Sequence, residues 1–413
     1  IEDMNIFLHA FYTLMILHFT FPHYYISCNE QRNKFKKEMK EEIKMKRAAA
    51  AAISLMTGLA MLTGCSRAEV EETIQPLVAD AIEESDSEAE AVKEEDESPL
   101  IPEIDTDIKI HAGSRIAVVS KCVKGEYWKM VKKGMEDAVK EINKAYGYKK
   151  DDQITMTFEG PDNEEDVETQ INTIDAVIAE NPDVLCISAS DMDSCEAQLE
   201  AAKENGIPVI AFDSNVAEKK LVKAYRGTDN VQVGKMAAYQ LGSALGKMGK
   251  VAVFSAQQKT KSVQDRVEGF MNNIGKYGDI EVVETIYSDQ VDDMEASMKE
   301  VLEKYPTLDG VFCTNADITE MYLNLEKSDE HDAPALVGVD ATTKQQEAIR
   351  NGEEIGCVSQ QPYAMGYQTI WAAVETTAPK KSVVIEKNVL SNPAWIDADC
   401  LDDPDYSGYL YTE

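Results

Sequence analysis

The chain has 413 residues, enough for two domains with full cores, and its apolar share of 44% is ordinary for a globular protein. The formal net charge is −34, and residues 1–64 carry eight Lys and Arg against six Asp and Glu, so the remainder is near −36. Such a body repels a phosphate backbone, which argues against nucleic acid as a partner and disfavours anionic ligands.

Histidine and cysteine usage argues against two further classes. Three of the five histidines lie in the first 25 residues, which leaves only His111 and His331 for a metal site or a His-centred triad. The eight cysteines contain no CxxC pair, and several fall at or near predicted strands, where buried free thiols are common. We therefore predict no metal, no cofactor and no disulfide framework.

The front of the chain is typical of an export signal. Residues 45–47 are a short start with two basic residues, an apolar run follows over 48–61, and the stretch ends in Leu62-Thr-Gly-Cys65. This order predicts a lipoprotein signal peptide over 45–64, and its ending resembles a bacterial lipobox with Cys65 as the lipid-modified first residue. Because a diacylated terminus anchors stably, we expect a cell-surface lipoprotein on the outer face of the cytoplasmic membrane. A buried helix with an incidental Cys is the alternative.

Residues 1–44 fit poorly with this signal, because they lack an initiator Met and their apolar stretch over 6–21 is short for a membrane span. We interpret them as upstream sequence translated in frame, or as disordered; an extra membrane segment is the alternative. Residues 65–110 are predicted to form a disordered acidic tether, since sixteen acidic residues face two basic ones between 66 and 107.

From residue 115 onward, short apolar runs alternate with amphipathic stretches, the pattern of an α/β fold. Strands are predicted over 116–120, 155–159, 184–188, 208–212, 223–226, 250–254, 280–287, 310–313, 335–339 and 355–359. Helices are predicted over 127–145, 166–180, 194–205, 262–277, 294–305, 318–328 and 344–351. The pattern restarts after Gly227-Thr-Asp-Asn230, so we predict two similar doubly wound parallel-sheet lobes that meet at a cleft, where ligands usually bind.

The stretch from Gly206 to Asn215 is the centre of this pattern. Its apolar run over 208–212 suits a strand that is buried on both faces, and Asp213 follows the last apolar residue directly. Ligands of open α/β sheets lie outside the carboxyl ends of the strands, which makes Asp213 a candidate ligand contact. Capping of the next element is the alternative.

Six motifs, in order and at suitable spacing, carry a resemblance to a known family. They are Gly206-Ile-Pro-Val-Ile-Ala-Phe-Asp, Gly227-Thr-Asp-Asn, Arg266-Val-Glu-Gly-Phe, Val311-Phe-Cys-Thr-Asn, Val337-Gly-Val-Asp340 and Gln360-Gln-Pro. With them, residues 115 to about 390 resemble a periplasmic sugar-binding protein of the ribose/galactose type, the substrate receptor of an ABC importer.

The resemblance implies the type 1 periplasmic binding protein fold, with crossings between the lobes near Gly227, Gln360 and Ser382. The lobe boundaries follow from these crossings. We place 111–227 plus 361–381 in the N-terminal lobe, 228–360 plus 382–396 in the C-terminal lobe and 397–413 in a C-terminal tail.

The resemblance also implies the ligand contacts, which are Tyr127, Trp128, Asp213, Ser214, Arg266, Asn315, Asp340 and Gln360. Tyr127 and Trp128 match an aromatic pair that stacks on the sugar ring, with a core contact at the helix start as the alternative. The residues before them depart from the family's Asn-Pro pattern, which leaves Lys124 or Glu126 to replace the missing Asn.

The remaining contacts come from both lobes and from one crossing. Asp213 and Asp340 match carboxylates that bind sugar hydroxyls, Asn315 matches an amide of the pocket, and Gln360 matches a contact that senses closure. Arg266 matches a ligand-binding Arg, with a surface salt bridge to Asp265 or Glu268 as the alternative. Ser214 stands where ribose binders often carry Arg. Two weaker candidates, Asp191 and Gln290, are interpreted as loop surface.

These features together predict a monomeric receptor that closes around a monosaccharide or related polyol and delivers it to an ABC permease, without catalysis. A sensory sugar receptor feeding a membrane kinase or chemoreceptor is the alternative, because it uses the same lobes. A repressor core needs an N-terminal helix-turn-helix, whose place the signal peptide and tether occupy. A further alternative is an enzyme in which Asp213 and Asp340 act as the carboxylate pair of a glycosidase, but no sequence motif supports it.

Overall fold

The computed structural model describes residues 101–325, 333–379 and 382–412. The predictions for 1–100, including the signal peptide, Cys65 and most of the tether, lie outside these residues. Across the described part of the chain, no helix combines the length and the apolar character needed to cross a membrane.

Strands and helices alternate through the described residues. The strands are β1 (Arg115–Val119), β2 (Thr155–Glu159), β3 (Val184–Ile187), β4 (Val209–Phe212), β5 (Ala224–Thr228), β6 (Met248–Ser255), β7 (Asp279–Tyr287), β8 (Gly310–Cys313), β9 (Ala335–Val339), β10 (Gly356–Ser359), β11 (Asn388–Ser391) and β12 (Ala394–Ile396). The helices are α1 (Gly125–Tyr146), α2 (Val167–Ala179), α3 (Glu196–Glu204), α4 (Asn230–Ala244), α5 (Lys261–Ile274), α6 (Met294–Lys304), α7 (Ala316–Leu323), α8 (Thr343–Asn351) and α9 (Pro362–Thr376).

The strands form two sheets with one topology. The first lobe has the order β11-β5-β4-β3-β1-β2, and the second has β12-β10-β9-β8-β6-β7. Pairing is parallel except for the antiparallel edge strand β12. Helices cover both faces, so central strands such as β3 and β4 are buried along their whole length, as their unbroken apolar runs predict. The predicted pair of doubly wound lobes is confirmed.

In each lobe two glycines bring a pair of helices into backbone contact. A Cβ added at Gly134 on α1 would lie 2.0 Å from the carbonyl oxygen of Tyr363 on α9, and Gly366 on α9 meets α1 as closely. Gly234 and Gly269 repeat the arrangement between α4 and α5. This packing fixes α1 and α5, the two helices that carry predicted ligand contacts.

The third crossing lies later than predicted. Strand β11 pairs with β5 of the first lobe, and β12 pairs with β10 of the second. The crossing therefore falls between Ser391 and Ala394 rather than near Ser382, and 382–391 belong to the first lobe. The sequence there has no strong apolar run, because β11 is an edge strand with exposed positions.

Both ends of the described chain are more ordered than predicted. The final residues of the supposed tether pack on the first lobe, where the Tyr146 hydroxyl donates to the carbonyls of Asp105 and Ile108 (both 2.8 Å) and Ile110 is buried. The reason is the spaced isoleucines of this stretch, which join the apolar core. The predicted tail packs on both lobes, since the backbone of Tyr411 is bonded to Ala341 of the second lobe and its ring is fully buried in the apolar core of the first.

Candidate ligand-binding cleft

The cleft between the lobes is a cavity of about 320 Å³ lined from both sides. It is lined by seven of the predicted ligand contacts, namely Tyr127, Trp128, Asp213, Arg266, Asn315, Asp340 and Gln360. Four of them follow the carboxyl ends of strands, since each lobe presents this edge of its sheet to the cleft, and Tyr127, Trp128 and Arg266 lie near the starts of helices α1 and α5.

Asp213, directly after β4, is the acceptor at the centre of the first lobe's wall. Its Oδ1 accepts from the Tyr127 hydroxyl (2.7 Å), and its Oδ2 accepts from Ser188 Oγ (2.8 Å) and pairs with Lys121 Nζ at 3.0 Å. Burial alone would raise the pKa of Asp213, but Lys121, the Tyr127 hydroxyl and Arg266 outweigh it and hold the pKa below its ordinary value. The carboxylate is therefore ionised at neutral pH.

Asp340, directly after β9, is its counterpart in the second lobe. Oδ1 accepts from Gln360 Nε2 (2.7 Å) and from the Tyr411 hydroxyl (2.9 Å), and Oδ2 accepts from the backbone N–H of Ala316 (3.0 Å). Gln360, at the second crossing, thus contacts a carboxylate of the cleft, while Tyr411 reaches it from the C-terminal segment.

Tyr127 and Trp128 both line the cleft and both belong to the first lobe's apolar core. Their rings meet edge to face, with centroids 5.1 Å apart, and Trp128 Nε1 donates to Glu164 Oε1 at 2.8 Å. Burial, assisted by the charge of Asp213, raises the pKa of Tyr127 well above its ordinary value, so its hydroxyl remains a donor. The core contact and the cleft position predicted as alternatives occur together.

Arg266 and Asn315 are held by their own lobe. Arg266 is buried on α5, where Nε donates to Asn230 Oδ1 (2.8 Å) and Nη1 to the carbonyl of Thr314 (2.7 Å), so the predicted alternative of a surface salt bridge does not occur. Asn315 caps α7, since its Oδ1 accepts from the N–H of Ile318 at 3.1 Å. Its amide nitrogen makes no hydrogen bond to another described residue and lines the cleft.

Ser214 does not line the cleft. Its hydroxyl lies 2.6 Å from that of Ser262 on α5, a residue that does line the cavity, so the two hydroxyls join the lobes at the cavity wall. Asp191 is buried and pairs with Lys259 of the second lobe at 3.5 Å, and Gln290 is an exposed partner of Gln258. The other seven predicted contacts line the cavity, and their roles as ligand contacts remain predictions.

Sequence reasoning missed several charged residues of the cleft. Lys121 is the second residue after the end of β1. It is buried between Asp213 and Glu164, and its Nζ lies 3.6 Å from Glu164 Oε2. Burial would lower the pKa of Lys121, but the two carboxylates outweigh it and raise the pKa. The signal was available, since a polar residue near a strand's carboxyl end is the same rule that selected Asp213.

Asp317, near the start of α7, faces three other carboxylates. The surrounding walls and the charges of Glu164, Glu320 and Asp340 raise the pKa of Asp317 to about 7, although the side chain remains accessible to solvent. Seven carboxylates and four cations line the cavity altogether. The described residues contain no group of three or more His, Cys, Asp and Glu side chains that could hold a metal ion.

Hydrogen bonds join the lobes beside the cleft. The carbonyl of Ser190 accepts from Gln257 Nε2 (2.8 Å) and Thr260 Oγ1 (2.6 Å), and the N–H of Met192 donates to the carbonyl of Lys259 (3.1 Å). We call this loop-to-loop contact, between 190–192 and 257–260, the latch.

A separate bond links the starts of two helices across the cleft. Glu126 Oε2 on α1 accepts from the backbone N–H of Thr343, the first residue of α8, at 2.7 Å. A carboxylate at this position also matches the positive end of the α8 dipole. With the latch, this contact gives the lobes a closed arrangement.

Comparison with known proteins identifies the family. The sequence matches the periplasmic binding protein domain over residues 116–381. It is 26% identical over 220 residues to the ribose import binding protein RbsB of Bacillus subtilis (53% of this chain, 71% of the relative) and 25% identical over 211 residues to the xylitol-binding protein of Mycolicibacterium smegmatis (51% and 60%).

Solved structures agree. An ABC transporter solute-binding protein from Agrobacterium vitis with bound D-fucose is 26% identical, with a TM-score of 0.65, and the match covers 72% of this chain and 100% of that one. A carbohydrate transporter solute-binding protein from Agrobacterium radiobacter in complex with D-arabinose is 25% identical, with a TM-score of 0.63, 72% of this chain and 99% of that one being covered. The family and fold predicted from the six motifs are confirmed, and the chain belongs to the periplasmic binding protein family.

Proposed function

We propose that this chain is an extracytoplasmic receptor that binds one small neutral sugar, a monosaccharide or related polyol, in the interlobe cleft and delivers it to an ABC import permease. The observation that carries the proposal is the opposed pair Asp213 and Asp340. Each follows a central strand of its lobe, and both line one cavity.

The hydrogen bonds of these two carboxylates leave room for a ligand on each. A carboxylate has about four acceptor positions. Asp213 uses one on Oδ1 and two on Oδ2, and Asp340 uses two on Oδ1 and one on Oδ2. One acceptor position therefore remains on Asp213 Oδ1 and one on Asp340 Oδ2, which suits two hydroxyl groups of a ligand that lies between the lobes.

The rest of the lining favours the same ligand class. The Tyr127 and Trp128 rings supply apolar surface, as a sugar face requires. The excess of carboxylates disfavours an anion. The cavity of about 320 Å³ lies at the small end of the usual range of roughly 300–1,000 Å³ for ligand pockets, which suits a single ring.

The mechanism is closure of the two lobes around the ligand. A ligand that contacts Asp213 in one lobe and Asp340 in the other stabilises the closed arrangement relative to an open one. The permease would then recognise the closed form. The names of the relatives, a ribose import binding protein and a xylitol-binding protein, support this reading.

A thermal-shift panel tests the proposal. Ligand-free protein is mixed with D-ribose, D-fucose, D-arabinose, xylitol and other neutral monosaccharides, and a sugar that binds only the folded state raises the Tm. Binding is then measured by calorimetry for Asp213→Asn and Asp340→Asn. Each should raise Kd about tenfold to a hundredfold, because a hydrogen bond to a charged group contributes about 1.5–3 kcal/mol.

Asp292→Asn is the matched control, since Asp292 is exposed in the second lobe outside the cleft. Its Kd should equal that of the wild type. A panel without any shift would contradict the proposed function, and an unchanged Kd in both cleft variants would show that the sugar binds elsewhere.

We also propose that the chain is monomeric and anchored to the outer face of the cytoplasmic membrane through lipid on Cys65. The motif Leu62-Thr-Gly-Cys65 supports the lipid anchor. Metabolic labelling with a fatty acid in the native host should mark the wild type and leave Cys65→Ala unmarked; equal labelling would exclude this anchor.

A further inference from the structure

The C-terminal segment 397–412 delivers a side chain to the edge of the ligand site. Its backbone is fixed on the second lobe: the N–H of Tyr411 donates to the carbonyl of Ala341 (3.0 Å), and the carbonyl of Tyr411 accepts from Gln346 Nε2 (2.9 Å). An ion pair between Arg350 and Asp402 (3.1 Å) holds the segment on α8.

The ring of Tyr411 points away from this backbone into the first lobe. It is fully buried in the apolar cluster that contains Trp128, with its centroid 5.9 Å from that of Tyr127. Tyr411 therefore belongs to the second lobe by its backbone and to the first lobe by its ring.

Its hydroxyl completes a symmetrical pattern. Tyr127 donates to Asp213 Oδ1, and Tyr411 donates to Asp340 Oδ1, at 2.7 and 2.9 Å. Asp213 and Asp340 are thus each held by one buried tyrosine, and the two tyrosines pack together. Burial, together with the charge of Asp340, raises the pKa of Tyr411 well above its ordinary value, so the group remains a donor.

We propose that Tyr411 is a positioning residue of the ligand site. Its hydroxyl and Gln360 Nε2 occupy both acceptor positions of Asp340 Oδ1, so that the open position falls on Oδ2, toward the cavity. Without the hydroxyl, Asp340 has a second open position and is held only by Gln360 and the backbone N–H of Ala316. The inference rests on the proposed function, because it concerns the affinity for a sugar.

The test is the variant Tyr411→Phe, which keeps the ring and removes only the hydroxyl. Binding of D-ribose, D-fucose, D-arabinose and xylitol is measured by calorimetry, and we expect Kd to rise about tenfold for those that bind the wild type. Tyr409→Phe is the matched control. It removes a hydroxyl from the same segment, one that donates to the carbonyl of Asn392 (3.3 Å) outside the cleft, and should leave Kd unchanged.

Comparing Tyr411→Phe in the wild type and in the Asp340→Asn background distinguishes a positioning role of the hydroxyl from a purely structural one. If Tyr411 acts through Asp340, then Tyr411→Phe should raise Kd much less in the Asp340→Asn background than in the wild type. If the hydroxyl has only a structural role, Tyr411→Phe should lower the Tm and leave Kd unchanged, or should raise Kd equally in both backgrounds. Either result overturns the inference and leaves the proposed function intact. A wild type that binds no sugar of the panel overturns the proposed function and the inference with it.

Discussion

Asp213 and Asp340 have backbone φ angles of 56° and 79°, each at the first residue after its strand. This left-handed region is uncommon for residues other than glycine, although Asp tolerates it better than most. Strain of this kind persists where the surrounding structure fixes it, and it concentrates at functional sites. Of the five non-glycine residues with positive φ in the described part of the chain, Asp213 and Asp340 are the two that line the cavity, and they occupy equivalent positions of the two lobes.

The buried pair Lys121–Asp213 should contribute strongly to stability. In Lys121→Met the carboxylate of Asp213 stays buried without its cation, so we expect a loss of about 3–5 kcal/mol in the free energy of unfolding at pH 7, measured by urea titration. Lys259→Met is the control: Lys259 is 68% exposed beside Asp191, and its loss should cost less than about 1 kcal/mol.

The loss of unfolding free energy in Lys121→Met should depend on pH. The pKa of Asp213 is lowered by folding, so its contribution is present above the ordinary carboxyl pKa of about 4 and is lost as the pH falls through the folded value. In the variant, the buried carboxylate of Asp213 has lost its cation, so protonation of this group stabilises the folded state. The stability difference should therefore be largest at neutral pH and shrink toward pH 4, and an equal difference at both pH values would contradict the ion-pair explanation.

At this scale the sequence could predict the residues that follow strong apolar runs, such as Asp213 and Asp340. It could not predict their partners. The position of Lys121 just after β1 indicates a cleft residue, but nothing in the sequence pairs it with Asp213, which lies far along the chain. Tyr411 is equally far from Asp340, and no local pattern indicates that this tyrosine is buried there. Ser214 shows a related limit of the sequence, because adjacency to Asp213 does not indicate that its hydroxyl is bonded to Ser262 of the other lobe.

The paired helices α1 and α9 depend on the absence of side chains at their contact. In Gly134→Ala the new Cβ would lie 2.0 Å from the carbonyl oxygen of Tyr363, so the helices must separate. We expect a loss of about 1–3 kcal/mol, typical of overpacking, measured as a lower Tm and urea midpoint. Gly278→Ala has no atom within 4 Å of its Cβ and should remain near the wild type. Equal stability of the two variants would contradict the close contact.

Elements with a clear alternation of apolar and polar residues could be predicted from the sequence. Two helices lack this alternation and were not predicted. We assigned no element to α9 or α4. Nearly every residue of α9 through Val374 is buried, so it shows no alternation of apolar and polar residues. Small residues dominate the buried face of α4, since its packing against α5 needs Gly234 and its alanines. Tertiary contact, rather than a local pattern, determines both.

At the scale of the whole molecule, the latch joins the two lobes through contacts outside the cavity. Removing one hydrogen bond of the latch with Thr260→Val should make the open arrangement more accessible, because Ser190 then keeps only Gln257 as a donor across the lobes. We expect Kd for a bound sugar to rise about two- to tenfold, and the ligand-free radius of gyration to increase in X-ray scattering.

The control for the latch is Thr173→Val. It removes a hydroxyl whose bond to the carbonyl of Thr169 lies on the exposed surface of α2. Scattering curves and Kd values for Thr260→Val that equal those of the control would show that the latch does not contribute to closure.

The late crossing between β11 and β12 affects how the chain is made. The first sheet receives its edge strand from 388–391 and the second from 394–396, so neither is complete until these residues have left the ribosome. At roughly 5–20 residues per second, the early strands wait many seconds for these partners. We expect neither half to acquire its final structure before residues 388–396 are made, and a gene cut at the first crossing to yield no native half.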